Sequence, residues 1–365
     1  MKKIAIITFH RAINYGAVLQ AYALQNCLKE LGYDAFEIDY VPSQEIQKYR
    51  LISLKRIKNP KRFLMDIISF PENLKKHNKF NNFLNSNISL TSSRYDLSDL
   101  KNNPPLADVF ITGSDQVWNY ELLNGIDDAF FLNFESEKFS KKISYAASIG
   151  KEFFLESDYG VLKKYLLDFY GISVREKTAI KALKKIGIDN AVTVCDPVFL
   201  NEKYSWNKLC RKQYNKQKYI LSYMLSKSDE YCKMVSLLAK ETNLKVVCFE
   251  KKPHYDCKFE KKSSAGPDEF VNLIRDAEYV ITTSFHATAF SIIFEKKFFV
   301  YPYSKTSSRV TDLLEKLGIS NRAVNSLEEF EKLDFDEDID YENVNKILEK
   351  EREKSINWLI DAIEK

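Results

Sequence analysis

Tyr279-Val-Ile-Thr-Thr-Ser-Phe-His-Ala-Thr-Ala-Phe-Ser-Ile-Ile-Phe294 begins with a short, apolar, β-branched run, and Tyr279 to Ile281 reads as a buried strand. Thr282, Thr283 and Ser284 break it. From Phe285 to Phe294 the residues are apolar nearly all round, as in a buried helix. Ser284 is placed to cap that helix, its hydroxyl accepting from N–H groups of the first turn. His286 then falls in the first turn, at a strand-to-helix junction. Free N–H groups and the positive end of the helix dipole make such a junction suited to an anionic ligand. A packed core histidine is the plainer alternative. Lys296-Lys-Phe-Phe-Val-Tyr-Pro302 supplies the next strand.

The same grammar runs through the chain. Lys3 to Phe9 reads as a strand, His10 to Gly16 as a loop, Ala17 to Leu31 as a helix and Asp34 to Tyr40 as a strand. That is a βαβ unit, hence a parallel sheet, and ligands of such sheets gather at the carboxyl ends of strands. The loop therefore makes a candidate wall of a site, although it lacks a full dinucleotide-binding glycine pattern. Further strands are expected at Asp108–Thr112, Lys142–Ala147, Gly171–Glu176 and Ala191–Val194. A second set begins with a strand at Tyr219–Met224, a helix at Asp229–Thr242 and a strand at Leu244–Phe249. A helix at Pro267–Asp276 leads to the Tyr279 strand, and Ser307–Leu317 reads as a further helix. The fold class is α/β, with two Rossmann-like domains facing a cleft. The expected boundaries are 1–200, a polar connection at 201–218, a second domain at 219–340 and a C-terminal helix at 341–365.

A 365-residue chain with 45% hydrophobic and 13% aromatic residues has ample material for two cores. A net charge of +4 is too mild to argue for nucleic acid. The six cysteines form no Cys-x-x-Cys pair and read as reduced thiols, in keeping with a cytoplasmic protein. The apolar run Ile4–Ile7 is too short for a signal peptide, and no run approaches the roughly 20 residues of a membrane-spanning helix. Residues 45–90 stand apart, with ten Lys/Arg against three acids. Interleaved Leu54, Ile57, Leu64, Ile67 and Ile68 make this a basic, amphipathic, helical insertion. It fits an anionic membrane surface or a solvated arm.

Gly113-Ser114-Asp115-Gln116 follows a buried strand, and its acceptor and amide groups suit sugar hydroxyls. Trp118 is a candidate stacking platform or a core residue. Arg175 ends a buried strand, and either pairs with an acid or holds an anion bidentately. Lys305-Thr-Ser-Ser308-Arg309 resembles a small anion nest before a helix. No zinc-protease, P-loop or serine-hydrolase motif occurs, so no metal or cofactor is expected.

Taken together, Asn14-Tyr15-Gly16-Ala-Val-Leu-Gln-Ala-Tyr-Ala-Leu24, Gly113-Ser-Asp-Gln-Val-Trp-Asn119, Ile172-Ser-Val-Arg-Glu176 and Thr283-Ser-Phe-His-Ala287 resemble the polysaccharide pyruvyl transferase family. The Tyr145–Gly150 and Cys195–Pro197 stretches look similar too. The resemblance implies a GT-B-like fold and transfer of a pyruvyl group from phosphoenolpyruvate to sugar hydroxyls. The product would be a ketal on a cell-surface polysaccharide or lipid-linked oligosaccharide precursor. It also implies a catalytic role for His286; Asp115 is the expected complementary base or orienting group for the sugar hydroxyl. Better-known members carry arginine two residues before this histidine, where the chain has Ser284. Donor binding is therefore expected from Arg175, Arg309, Ser284, Lys305 and Ser308, and acceptor binding from Asn14, Tyr15, Gly16, Ser114, Gln116 and Trp118. The expected location is cytoplasmic and peripheral at the inner membrane face. A glycosyltransferase using a nucleotide sugar and a non-catalytic glycan-binding protein are the competing readings.

Overall fold

The computed structural model describes residues 1–42, 60–134, 140–151, 153–210, 217–251, 253–302 and 308–365. It divides into two compact units, Met1–Asn201 with Lys350–Lys365, and Glu202–Glu349.

In the first unit six parallel strands form one sheet: β1 (Lys3–Ile7), β2 (Asp34–Glu37), β3 (Val109–Thr112), β4 (Lys141–Ala147), β5 (Gly171–Val174) and β6 (Val192–Thr193). Their order is β2-β1-β3-β4-β5-β6. The chain leaves β1 for one side and later returns to its other side at β3. That reversal opens a crevice beyond the carboxyl ends of β1 and β3, the usual ligand position in open parallel sheets. β1 and β3 are apolar and almost wholly buried, as strands covered on both faces must be. Helix α1 (Tyr15–Glu30) begins two residues earlier than its apolar pattern suggests. Asn14 caps it, its Oδ1 accepting from the Gly16 and Ala17 N–H groups at 2.9 and 3.3 Å. Helix α2 (Pro60–Asn87) carries the described part of the basic insertion; residues 45–59 lie outside the described residues. Helices α3 (Tyr159–Leu167) and α4 (Lys177–Lys185) flank β5 in sequence.

The second unit has five parallel strands: β7 (Tyr219–Tyr223), β8 (Lys245–Cys248), β9 (Phe259–Lys261), β10 (Tyr279–Thr282) and β11 (Lys297–Val300). The order β11-β10-β7-β8-β9 places its reversal between β7 and β10. Helix α5 (Asp229–Thr242) starts after the Ser228 cap, and α6 (Pro267–Asp276) starts with proline at its first position, where no N–H is missed. Helix α7 (Phe285–Ile293) follows β10, and α8 (Ser308–Lys316) packs against α7.

Two boundaries differ from the sequence reading. The stretch expected to connect the domains contains a helix, Lys203–Leu209, whose Trp206 meets Phe290 edge-on at 4.7 Å within the second unit. The last helix, α9 (Tyr341–Glu364), is no separate element: its first residues count with the second unit and its remainder with the first. There Leu359, Ala362 and Ile363 join Ile4, Ile6, Ile143 and Tyr145 in one core.

Candidate functional site

Each unit gathers polar side chains where its strand order reverses. In the first, the main chain turns at Gly113, where a Cβ would sit 3.1 Å from Thr8 Cβ. Asp115 follows with φ 76°, a left-handed conformation that a short polar side chain tolerates better than most. Its carbonyl accepts from the N–H groups of Val117 (2.8 Å) and Ser148 (2.9 Å). Gln116 Oε1 accepts from Asn119 Nδ2 at 2.6 Å. Ser114 is fully buried, and its Oγ has no hydrogen-bond partner among the described residues.

Trp118 does not present a face to solvent. It is 2% exposed, stacks on Phe131 at 5.4 Å and donates its indole N–H to Phe130 O at 3.1 Å. The expectation of a sugar platform is therefore corrected: both the ring and its polar handle serve the core. Tyr15 is likewise buried against Phe80, with Lys76 Nζ 4.6 Å from its ring centre. Gly16 is buried in the first turn of α1. Asn14, Asp115 and Gln116 are the expected acceptor-side residues that retain exposure.

Arg175 is corrected as well. Its side chain is 2% exposed and donates to Asp196 at 2.8 Å, with Asp115 at 3.7 Å and Glu176 at 3.9 Å. Burial works against its charge, but the three carboxylates outweigh it and raise its pKa. Three acids around one guanidinium leave no positive surplus for a donor anion. Glu176 Oε1 accepts in turn from Ser148 Oγ (2.9 Å) and Ile149 N–H (3.1 Å), tying the ends of β4 and β5 together.

Beside β1 lies a cluster that the sequence reading passed over. Arg11 makes a two-point contact with Asp39, through Nε to Oδ1 and through Nη2 to Oδ2 at 2.7 Å. Arg94 Nε stands 3.6 Å from Oδ2, and His10 Nε2 3.4 Å from Oδ1. Burial pushes the Asp39 carboxyl up, whereas bonds from His10 and Arg11 pull harder and hold it well below the usual carboxylate range. The signal was available: a His-Arg pair at the carboxyl end of β1 and an acid just past β2.

In the second unit the junction after β10 is built as its sequence predicts. Ser284 caps α7, its Oγ accepting from Ala287 N–H at 3.4 Å, and Ser284 N–H donates to Thr282 Oγ1 at 3.0 Å. His286 occupies the first turn, 9% exposed, edge-on to Phe285 at 5.2 Å. Arg309 is part-exposed on the neighbouring α8. The backbone of Ser308 begins that helix, and Lys305 lies outside the described residues. Missed by the sequence reading is Glu250, two residues past β8. Burial drives its carboxyl up to about 7, against bonds that pull it down. A cavity of about 750 Å³ opens at the opposite strand ends, beside Lys218, Glu278 and Tyr279, so it is not the His286 junction. Among the described residues, no group of His, Cys, Asp or Glu gathers with metal-binding geometry.

Two parallel α/β units, each with polar residues at the reversal of its strand order, define a GT-B-like enzyme architecture. Solved structures carry the same fold. The S. aureus MnaA–UDP complex is 12% identical, covering 90% of this chain and 86% of its own at a TM-score of 0.51. UDP-GlcNAc 2-epimerase from Methanocaldococcus jannaschii, with UDP-GlcNAc and UDP, is 14% identical, covering 96% and 94% at a TM-score of 0.50. At such identities the likeness concerns the fold alone. No curated relative matches the chain. The polysaccharide pyruvyl transferase family profile matches residues 14–305, and the chain belongs to that family.

Proposed function

We propose that the protein transfers the pyruvyl group of phosphoenolpyruvate to two hydroxyls of a sugar in a polysaccharide or lipid-linked precursor. The observation that carries this reading is His286 in the first turn of α7, at the strand-order reversal, in a member of this family. The donor is a dianionic phosphate joined to a carboxylate, and a helix N-terminus with Arg309 on the adjoining helix suits both. His286 gives a proton to the methylene carbon, which becomes a methyl group and leaves an oxocarbenium-like centre at the neighbouring carbon. One sugar hydroxyl adds there and returns its proton to the histidine. Phosphate then departs with the C–O electron pair, and a second hydroxyl closes the ketal as its proton passes to the departing phosphate.

A thermal-shift screen tests the donor. Phosphoenolpyruvate at about 100 times its Kd should stabilise by about 2.7 kcal/mol, with UDP-sugars inert. His286→Gln should keep the shift and lose about 10²–10⁴ in phosphate release, as loss of general acid catalysis does. Stabilisation by UDP-sugars in place of phosphoenolpyruvate would overturn the donor assignment.

The reaction is proposed to take place at an anionic membrane surface. On α2, Leu64, Ile67 and Ile68 are 57%, 47% and 71% exposed, and they recur at helical spacing within the basic stretch. No helix among the described residues is long and apolar enough to cross a membrane, so contact through this segment would be peripheral. Flotation with phosphatidylglycerol vesicles should recover the protein at low salt and lose it at high salt, and Ile68→Asp should weaken recovery. Equal recovery with phosphatidylcholine vesicles would exclude this surface.

A further inference from the structure

Glu250 stands outside the chemistry just described, yet it is wired to it. Its Oε1 accepts from the Met224 N–H at 2.5 Å, just past β7. The next residue, Leu225, donates its N–H to Thr283 Oγ1 at 2.9 Å. Tyr223 O receives the Thr283 N–H at 3.2 Å and the Thr282 hydroxyl at 2.7 Å. Thr282 Oγ1 in turn holds the Ser284 N–H, and Ser284 caps the helix of His286. The segment 223–225 is thus clasped on one side by Glu250 and on the other by the junction itself. A second route runs beneath. Tyr231 OH donates to Ile281 O at 2.7 Å, so Ser222 Oγ donates to Tyr231 at 2.8 Å and receives Tyr255 OH at 2.7 Å. Ser222 Oγ also lies 3.5 Å from Glu250.

We propose that Glu250 is a positioning residue: its ionised carboxylate grips the 223–225 segment, and through Thr283 that grip sets the cap of α7 and the placement of His286. A carboxylate accepts from a backbone N–H roughly twice as strongly as a neutral acid does, so ionisation tightens the clasp. The titratable groups facing Glu250 are Tyr223 on β7, Tyr231 and Cys232 on α5, Cys248 on β8 and Tyr255 beyond it. All are neutral at pH 7, so the proton on Glu250 is the charge that changes there. The location agrees with this role. β7 and β10 flank the reversal of strand order, and the clasped segment leaves β7.

The consequence for catalysis rests on the proposed role of His286, and the test separates the two. Amide ¹H–¹⁵N shifts of Met224, Leu225, Thr283 and Ala287 are followed from pH 5.5 to 8.5 in the full-length protein without substrate. All four should inflect together near the Glu250 titration, at about 7. Glu250→Gln should abolish the inflection at Met224 and Leu225, and remove from Thr283 and Ala287 the part that follows Glu250. Thr283→Val removes the hydroxyl link, and should keep the inflection at Met224 while weakening it at Ala287. With phosphoenolpyruvate turnover in hand, Glu250→Gln should lower kcat at pH 8 and leave it unchanged at pH 6, with KM unaltered. An Ala287 amide indifferent to Glu250 overturns the positioning role, whatever the substrate proves to be. Coupled amides without turnover leave the clasp standing and refute the transfer reaction instead.

Discussion

Arg175 and Glu250 hold equivalent places in their units, each just past a buried parallel strand, and they meet opposite surroundings. Arg175 is enclosed by Asp196, Asp115 and Glu176, so its charge is locked in. Glu250 is enclosed by tyrosine and cysteine side chains and backbone N–H groups, and its carboxyl is driven up to about 7. One buried charge is compensated by fixed opposite charges, whereas the other is compensated by taking up a proton. The first arrangement is rigid and indifferent to pH near neutrality. The second answers to pH near neutrality.

The larger test of this contrast is Arg175→Met. It leaves carboxylates at the ends of β3, β5 and β6 without their shared cation, and should cost about 3–5 kcal/mol, as breaking a buried ion pair does. Chemical denaturation measures it, and a loss below about 1 kcal/mol, the worth of an exposed pair, would dissolve the contrast.

Glu250→Gln should have a smaller effect, and of opposite sign. The Glu250 carboxyl ionises near 4.5 when unfolded and at about 7 when folded. Between those values the folded protein holds a proton that the unfolded chain has lost. The stability this confers is full below pH 4.5 and is lost as pH rises through 7. By pH 8 the loss is about 3 kcal/mol. Glu250→Gln should remove this slope and unfold at higher denaturant than wild type at pH 8. Parallel pH profiles for the two proteins would show that the carboxyl is not buried enough to matter.

Much of this was legible beforehand. Asp229–Thr242 and Pro267–Asp276 are helices over the residues expected, because Ser228 and Gly266-Pro267 mark their starts chemically. The His286 junction followed from a β-branched run broken by hydroxyl residues. β9 was missed: Phe259-Glu-Lys261 is a three-residue edge strand with no buried residue, so it carries no apolar pattern. The fate of Arg175 was also hidden, because its partners arrive from the ends of other strands, 21 and 60 residues away. Trp118 failed for a related reason. The Phe130-Phe131 pair that covers it sits in a short helical turn, which no periodicity announces.

The shared last helix carries a consequence for how the chain is made. The second unit is continuous, and its whole sequence has been synthesised once Glu349 is added. The first unit, although it leads the sequence, still lacks Leu359, Ala362 and Ile363 at that moment. Its sheet waits with Ile4, Ile6 and Ile143 only partly covered until Leu359, Ala362 and Ile363 arrive. Order of synthesis and order of completion are therefore reversed: the unit begun first is completed after the second, and a nascent chain halted at Glu349 holds one complete unit and one open core.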